Sequence, residues 1–297
     1  MASSGLAQLA PILEAGGEEL RVLMERTEER LRAAAGGHGQ ALAGWADGTL
    51  SAGGKRLRPM LVYICAGEGA PELVAHAGAA VELLHMATLV HDDVLDRADL
   101  RRGRPTVFSV GGREAATATG DLLFSRAFAE LVLAGSPDAV RALSSASSAL
   151  ARGELIQRAD AWDVAVPLER YLERCELKTA RLFEAACRLG ALLGAPGAGA
   201  ADVLAGYGRS IGVAFQIFDD VLDVSGPVER TGKARGTDLL DGTVTLPLIL
   251  ARERDPALAA MDLRREVTSP ADAERVCDAI AATGALEESR AAALDHV

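Results

Sequence analysis

Apolar positions recur at the helical spacing of about 3.6 residues over long stretches of this chain. Residues 6–35 read as one amphipathic helix, closed by the breaker Gly36-Gly37-His38-Gly39. Residues 71–96 read as a long buried helix, and residues 201–224 as a second apolar one. Ser136-Pro137 and Ser269-Pro270 each set a capping hydroxyl before a proline, the signature of a helix start. Pro167 is expected to open the helix that carries Lys178. Glycines and prolines interrupt the pattern in "SAGGKRLRP" (51–59), in the basic loop "RRGRPT" (101–106) and in the polar stretch "SGPVERTGKARGTDLLDG" (225–242). The last is too long for an ordinary connection, and such loops are usually functional. With no linker in view, residues 1–297 are expected to form a single domain.

Composition points the same way. Hydrophobic residues make up 49% of the 297 but aromatics only 4%, because Ala and Leu dominate. Those two head the helix-propensity ranking, whereas strands favour β-branched and aromatic residues, so an all-α fold is expected. A net charge of −11 argues against a sequence-independent grip on nucleic acid. Cys65, Cys175, Cys187 and Cys277 show no metal-ligand spacing and read as reduced core residues of a cytoplasmic protein. Neither a signal peptide nor the roughly 18 uncharged apolar residues of a membrane span is expected.

One feature changes the picture. The pentapeptide DDVLD occurs at Asp92–Asp96 and again at Asp219–Asp223, each time behind an apolar run (LLHMATLV, IGVAFQI). On a helix, residues four apart share a face, so Asp92 with Asp96, and Asp219 with Asp223, can aim paired carboxylates at one point. Asp93 and Asp220 turn aside by about 100° and are expected to orient their neighbours. Stacked carboxylates repel unless a cation lies between them, and acidic clusters at the ends of buried helices need a positive partner. All-oxygen ligands suit Mg²⁺ or Mn²⁺, which bind few carboxylates and complete their shell with water and substrate phosphate. Lys55, Arg58, Arg101, Arg102, Arg104, Lys178 and Lys233 are available to clamp that phosphate.

The ordered set "GGKRLRP", "HDDVLDRADLRRGRPT", "GDLLFSRA", "KTARLFEAA", "FQIFDDVLDV" and "GKARGTDLLDGTVTLPLIL" resembles the trans-polyprenyl diphosphate synthases over nearly the whole chain. The resemblance implies a single-domain multi-helix bundle around a deep central cavity, the isoprenoid synthase fold. It implies Mg²⁺-dependent, head-to-tail condensation of isopentenyl diphosphate with an allylic diphosphate, with three Mg²⁺ ions on Asp92, Asp96, Asp219 and Asp223. Lys55, Arg58, His85 and Arg102 would hold isopentenyl diphosphate. Arg101, Lys178 and Lys233 would hold the allylic diphosphate. Thr179 and Gln216 match positions whose oxygens stabilise the carbocation and position the metal shell. His91 is read as structural. Short-chain members of the family commonly place an aromatic residue five positions before the first aspartate; here that residue is Ala87, beside Thr88 and above Leu84, so a medium- to long-chain product is expected. A homodimer and further helices beyond Val297 are also implied. A lysine common in relatives is replaced here by Thr243.

Three other readings compete. A class I terpene cyclase ionises the same substrates but normally carries one DDxxD and lacks a GGKRLRP-type second diphosphate site. A metal phosphohydrolase built on His76, His85 and HDD leaves the second DDVLD unused. A non-catalytic partner subunit of a two-chain synthase usually loses aspartates, and all six are present here.

Overall fold

A computed structural model describes residues 10–51, 53–68, 70–101, 103–226 and 235–297. The described residues are overwhelmingly helical, as the composition requires. The contacts divide the chain into two compact units: Met1–Ser147 with Leu182–Gly208, and Ser148–Arg181 with Arg209–Val297.

The first unit opens with α1 (Ala10–Ala15) and α2 (Gly17–Ala35). The single helix expected over 6–35 is therefore two among the described residues. Gly17 takes a left-handed φ of 62°, which breaks the run, while the predicted end before Gly36 holds. Next come α3 (Gln40–Ser51), α4 (Leu57–Ala66) and α5 (Pro71–Leu95). Helix α5 is apolar on nearly every face and packs along α6 (Val107–Leu133). Leu31, Leu83, Leu84, Leu123 and Leu131 are fully buried in this core. By length and hydropathy α5 is long and apolar enough to cross a membrane, although Glu82 interrupts it, so it holds no run of 18 uncharged apolar residues. Most of it is buried within the protein, however, and the same test is met by core helices.

Between α5 and α6 the basic loop forms a minimal antiparallel hairpin, β1 (Leu100–Arg101) with β2 (Arg104–Pro105). Thr106 then caps α6, its hydroxyl accepting from the Ser109 amide at 3.0 Å. Both Ser-Pro starts are realised. Ser136 accepts from the Ala139 amide at 3.3 Å at the head of α7 (Pro137–Ala159), and Ser269 accepts from that of Asp272.

In the second unit Pro167 precedes α8 (Leu168–Cys175), as expected, but the helix does not run on regularly through Lys178. Glu176–Ala180 form a π turn, and α9 (Arg181–Leu193) follows. The second pentapeptide lies in α10 (Ala198–Ser225). Short helices α11 (Thr237–Leu240), α12 (Leu246–Arg254), α13 (Pro256–Ala260) and α14 (Leu263–Glu266) lead to α15 (Pro270–Ala282) and α16 (Ala285–Asp295). They close on a core that includes Ile217, Val221, Leu248, Ala251 and Ile280.

Candidate active site

In the first unit, the left-handed Arg56 (φ 50°) leads from the GGK loop into α4. Read from sequence, Lys55 and Arg56 alone would be ordinary solvated surface. Lys55 is exposed, but Arg56 is only 7% exposed. Its Nε donates to Glu28 Oε1 at 2.6 Å, Nη1 to Glu82 Oε1 at 2.8 Å and Nη2 to the Leu50 carbonyl at 3.1 Å. Burial opposes the guanidinium's charge, but Glu82 and Glu28 more than offset it and hold its pKa above the ordinary arginine value. Arg56 thus anchors the loop that carries Lys55. Arg58 is half-buried, with its guanidinium carbon 4.6 Å from the Phe183 ring centre.

Along α5 the side chains of His85, Thr88 and Asp92 are half-buried and Asp96 is exposed. These positions share one face, as the spacing predicts. Ala87 and Leu84 are fully buried instead. Asp93 is also buried, and accepts from Arg101 Nε at 2.7 Å. This pair stands at a cavity of about 290 Å³ lined chiefly by Trp45, Met86, Leu89, Val90 and Val107. His91 Nε2 lies 3.3 Å from Asp121, and a Cβ at Gly120 would run into its ring. The glycine gives His91 its place in the packing of α5 on α6. Arg102 and Lys233 lie outside the described residues.

In the second unit the second aspartate is again the buried one. Asp219 is exposed, Asp220 buried and Asp223 half-buried. Asp223 Oδ2 accepts from the Asp238 amide at 3.2 Å, at the head of α11. Asp220 accepts from Tyr171 Oη and from Gln216 Nε2, each at 2.7 Å. Burial pushes its pKa up to about 7, opposed by the bonds from Tyr171 and Gln216. Gln216 Oε1 in turn accepts from Thr179 Oγ1 at 2.5 Å. Lys178 Nζ lies 2.5 Å from Glu154 Oε2, and Arg158 Nε donates to the other oxygen at 3.1 Å. Burial raises the pKa of Glu154, but Lys178 and Arg158 outweigh it and the net shift is downward. A Cβ at Gly153 would meet the Lys178 backbone at 2.5 Å, so only glycine lets α7 approach the π turn this closely.

Sequence reasoning brought out Lys178, Thr179 and Gln216 but not Tyr171 or Glu154. A weak signal existed for Glu154, the one acidic residue in "ALARGELI" (149–156). None existed for Tyr171, because the π turn hides its phase relative to Thr179. Among the described residues no three acidic, histidine or cysteine side chains gather as a metal cluster. Each pentapeptide offers two outer carboxylates on one helix face. That all-oxygen set fits a hard cation that takes one or two protein carboxylates and fills its shell with water and phosphate.

A family model for polyprenyl synthetases matches residues 40–282. The heptaprenyl diphosphate synthase component 2 of Geobacillus stearothermophilus is 40% identical over 276 residues, covering 92% of this chain and 85% of that protein. The crystal structure of heptaprenyl diphosphate synthase from Staphylococcus aureus aligns with a TM-score of 0.87 at 29% identity, covering 93% of this chain and 89% of that one. A polyprenyl synthase from Caulobacter crescentus CB15, complexed with calcium and isoprenyl diphosphate, aligns with a TM-score of 0.87 at 33% identity, covering 100% of this chain and 90% of that one. The chain belongs to the polyprenyl synthetase family, and so to the enzymes that transfer prenyl groups.

Proposed function

We propose that this protein is a trans-polyprenyl diphosphate synthase that adds isopentenyl diphosphate head-to-tail to an allylic diphosphate, with Mg²⁺ as cofactor and a medium- to long-chain product. The observation that carries the reading is the shared build of the two pentapeptides. In each, the second aspartate is buried and bonded to a side-chain donor, while the first and last keep part of their surface exposed. Asp92, Asp96, Asp219 and Asp223 are the proposed Mg²⁺ ligands. When bound, Mg²⁺ supplies Lewis-acid stabilisation of the departing diphosphate. The Caulobacter relative, whose structure holds calcium with an isoprenyl diphosphate, pairs a divalent cation with this class of ligand.

The chain's own residues do the rest. Lys178 places an ammonium for the allylic diphosphate, with Glu154 holding it in position. Arg101 assists and, in this reading, Lys233 does too. Lys55, Arg58, His85 and Arg102 bind isopentenyl diphosphate. The allylic C–O bond breaks with its electron pair leaving on diphosphate. The isopentenyl double bond supplies the pair for the new C–C bond, and loss of a proton restores an alkene. Thr179 and Gln216 turn oxygens toward the positive charge that develops between these events. The apolar runs before each pentapeptide keep water from the cation. Residues 1–297 acting as one domain, a homodimer and a cytoplasmic setting belong to the same proposal.

The name "component 2" of the Geobacillus relative favours a second reading, in which the chain works with a different partner chain. One experiment tests both. Purified protein is incubated with Mg²⁺, isopentenyl diphosphate and farnesyl or geranylgeranyl diphosphate, and product length is read by chromatography. Elongated product from the chain alone supports the synthase. Activity only after a second component is added supports the two-chain reading, and no elongation under either condition refutes both.

A further inference from the structure

Four polar side chains of the second unit form one directed hydrogen-bonded chain. Tyr171 Oη donates to Asp220 Oδ2 and Gln216 Nε2 to Asp220 Oδ1, each at 2.7 Å; Thr179 Oγ1 donates to Gln216 Oε1 at 2.5 Å. Tyr171 and Thr179 are eight residues apart, which in a regular α-helix places them about 80° out of phase. The π turn at Glu176–Ala180 acts as one inserted residue, so the pair takes the phase of residues seven apart, within about 20° of one face. Gln216 and Asp220, four apart on α10, share the opposing face. π turns of this kind concentrate at functional sites.

The chain has a fixed polarity. The Gln216 amide turns its NH₂ to Asp220 and its carbonyl to Thr179. The Thr179 hydroxyl must then spend its proton on Gln216, which leaves its lone pairs directed away from that bond. With the amide reversed, Thr179 would accept from NH₂ and present its proton instead. That is the wrong sign for an oxygen beside a developing cation. Tyr171 fixes the far end. It has no exposed surface, its ring lies 5.4 Å from the Arg174 guanidinium carbon, and Arg174 is itself tied to the Val244 carbonyl. By holding Oδ2 of Asp220, Tyr171 reserves Oδ1 for Gln216.

We infer that Tyr171 is a positioning residue for prenyl transfer, setting the direction of the Thr179 hydroxyl through Asp220 and Gln216. The inference rests on the role proposed above for Thr179 and Gln216. The test is Tyr171→Phe, alone and combined with Thr179→Val, each read by steady-state kinetics for both substrates and by thermal unfolding. Tyr171→Phe should lower kcat by roughly ten- to a hundred-fold, the range spanned by one hydrogen bond to a charged group, with both KM values within about threefold. In the Thr179→Val background the added substitution should change kcat by less than about twofold, because no hydroxyl is left to orient. A purely structural tyrosine would lower the unfolding temperature and leave kcat alone; that result, or a Tyr171→Phe protein unable to fold, overturns the inference. Full additivity of the two substitutions overturns it as well. An unimpaired Thr179→Val variant, or an inactive wild-type chain, refutes instead the functional reading beneath it.

Discussion

Replacing Arg56 with methionine removes the positive member of a buried ionic cluster and strands Glu82. The Arg56 and Glu82 side chains are 7% and 4% exposed and lie 2.8 Å apart, whereas Glu28, the other partner, is 37% exposed. Solvent screens the Glu28 contact, which therefore contributes little. Leaving one charge of a buried pair uncompensated costs about 3–5 kcal/mol. For a chain of this size, where 1 kcal/mol moves Tm by about 2–4 °C, the expected drop is on the order of 10 °C. The left-handed φ at position 56 is common to both residues and cancels. Thermal and urea unfolding followed by circular dichroism give the number. Adding Glu82→Met should recover most of the loss, since replacing both members of a buried pair with apolar side chains is often near neutral. A loss below about 1 kcal/mol, or no recovery in the double variant, would refute the reasoning, because the cluster would then carry no buried charge to strand.

Two further predictions concern the substrates. Lys55→Ala and Arg58→Ala should raise KM for isopentenyl diphosphate about tenfold or more and leave the allylic KM nearly unchanged, while Lys178→Ala should act chiefly on the allylic substrate; identical profiles for all three would undo the assignment of cations to sites. Ala87→Phe should shorten the main product toward geranylgeranyl or farnesyl diphosphate, measured by chromatography. Since Ala87 is fully buried, a loss of about 1–3 kcal/mol in stability should accompany it, and an active variant with unchanged product length would show that the tail takes another path.

Much of the helical layout could be read in advance. The spans at 71–96 and 201–224 differ from Pro71–Leu95 and Ala198–Ser225 by only a few residues. Apolar periodicity and Ser-Pro caps are local signals, which a sequence displays directly. What stayed hidden depends on pairings between distant residues. The burial of Arg56 had no local signal, because its partners Glu28 and Glu82 lie 28 and 26 residues away. Tyr171 gave no sign because a π turn shifts the helical phase without changing composition. The apolar spacing continues past the Gly16-Gly17 pair, so the pattern alone does not show the break that the left-handed backbone of Gly17 makes. The two kinds of aspartate within each pentapeptide could be told apart from spacing alone. The buried position of Asp93 and Asp220 matches the turn-aside expected of the second residue in the motif.

The central claim, that both pentapeptides serve one metal-dependent reaction, is tested most directly by turnover of Asp92→Ala and Asp219→Ala beside the wild-type chain, with Mg²⁺ and after its removal by EDTA. The account predicts wild-type turnover that vanishes with EDTA and returns with Mg²⁺. Each variant should be slower by at least about a thousandfold, with helical circular dichroism unchanged, because lost metal binding removes leaving-group stabilisation of several kcal/mol. Near-normal turnover in either variant, or wild-type activity indifferent to EDTA, would contradict it.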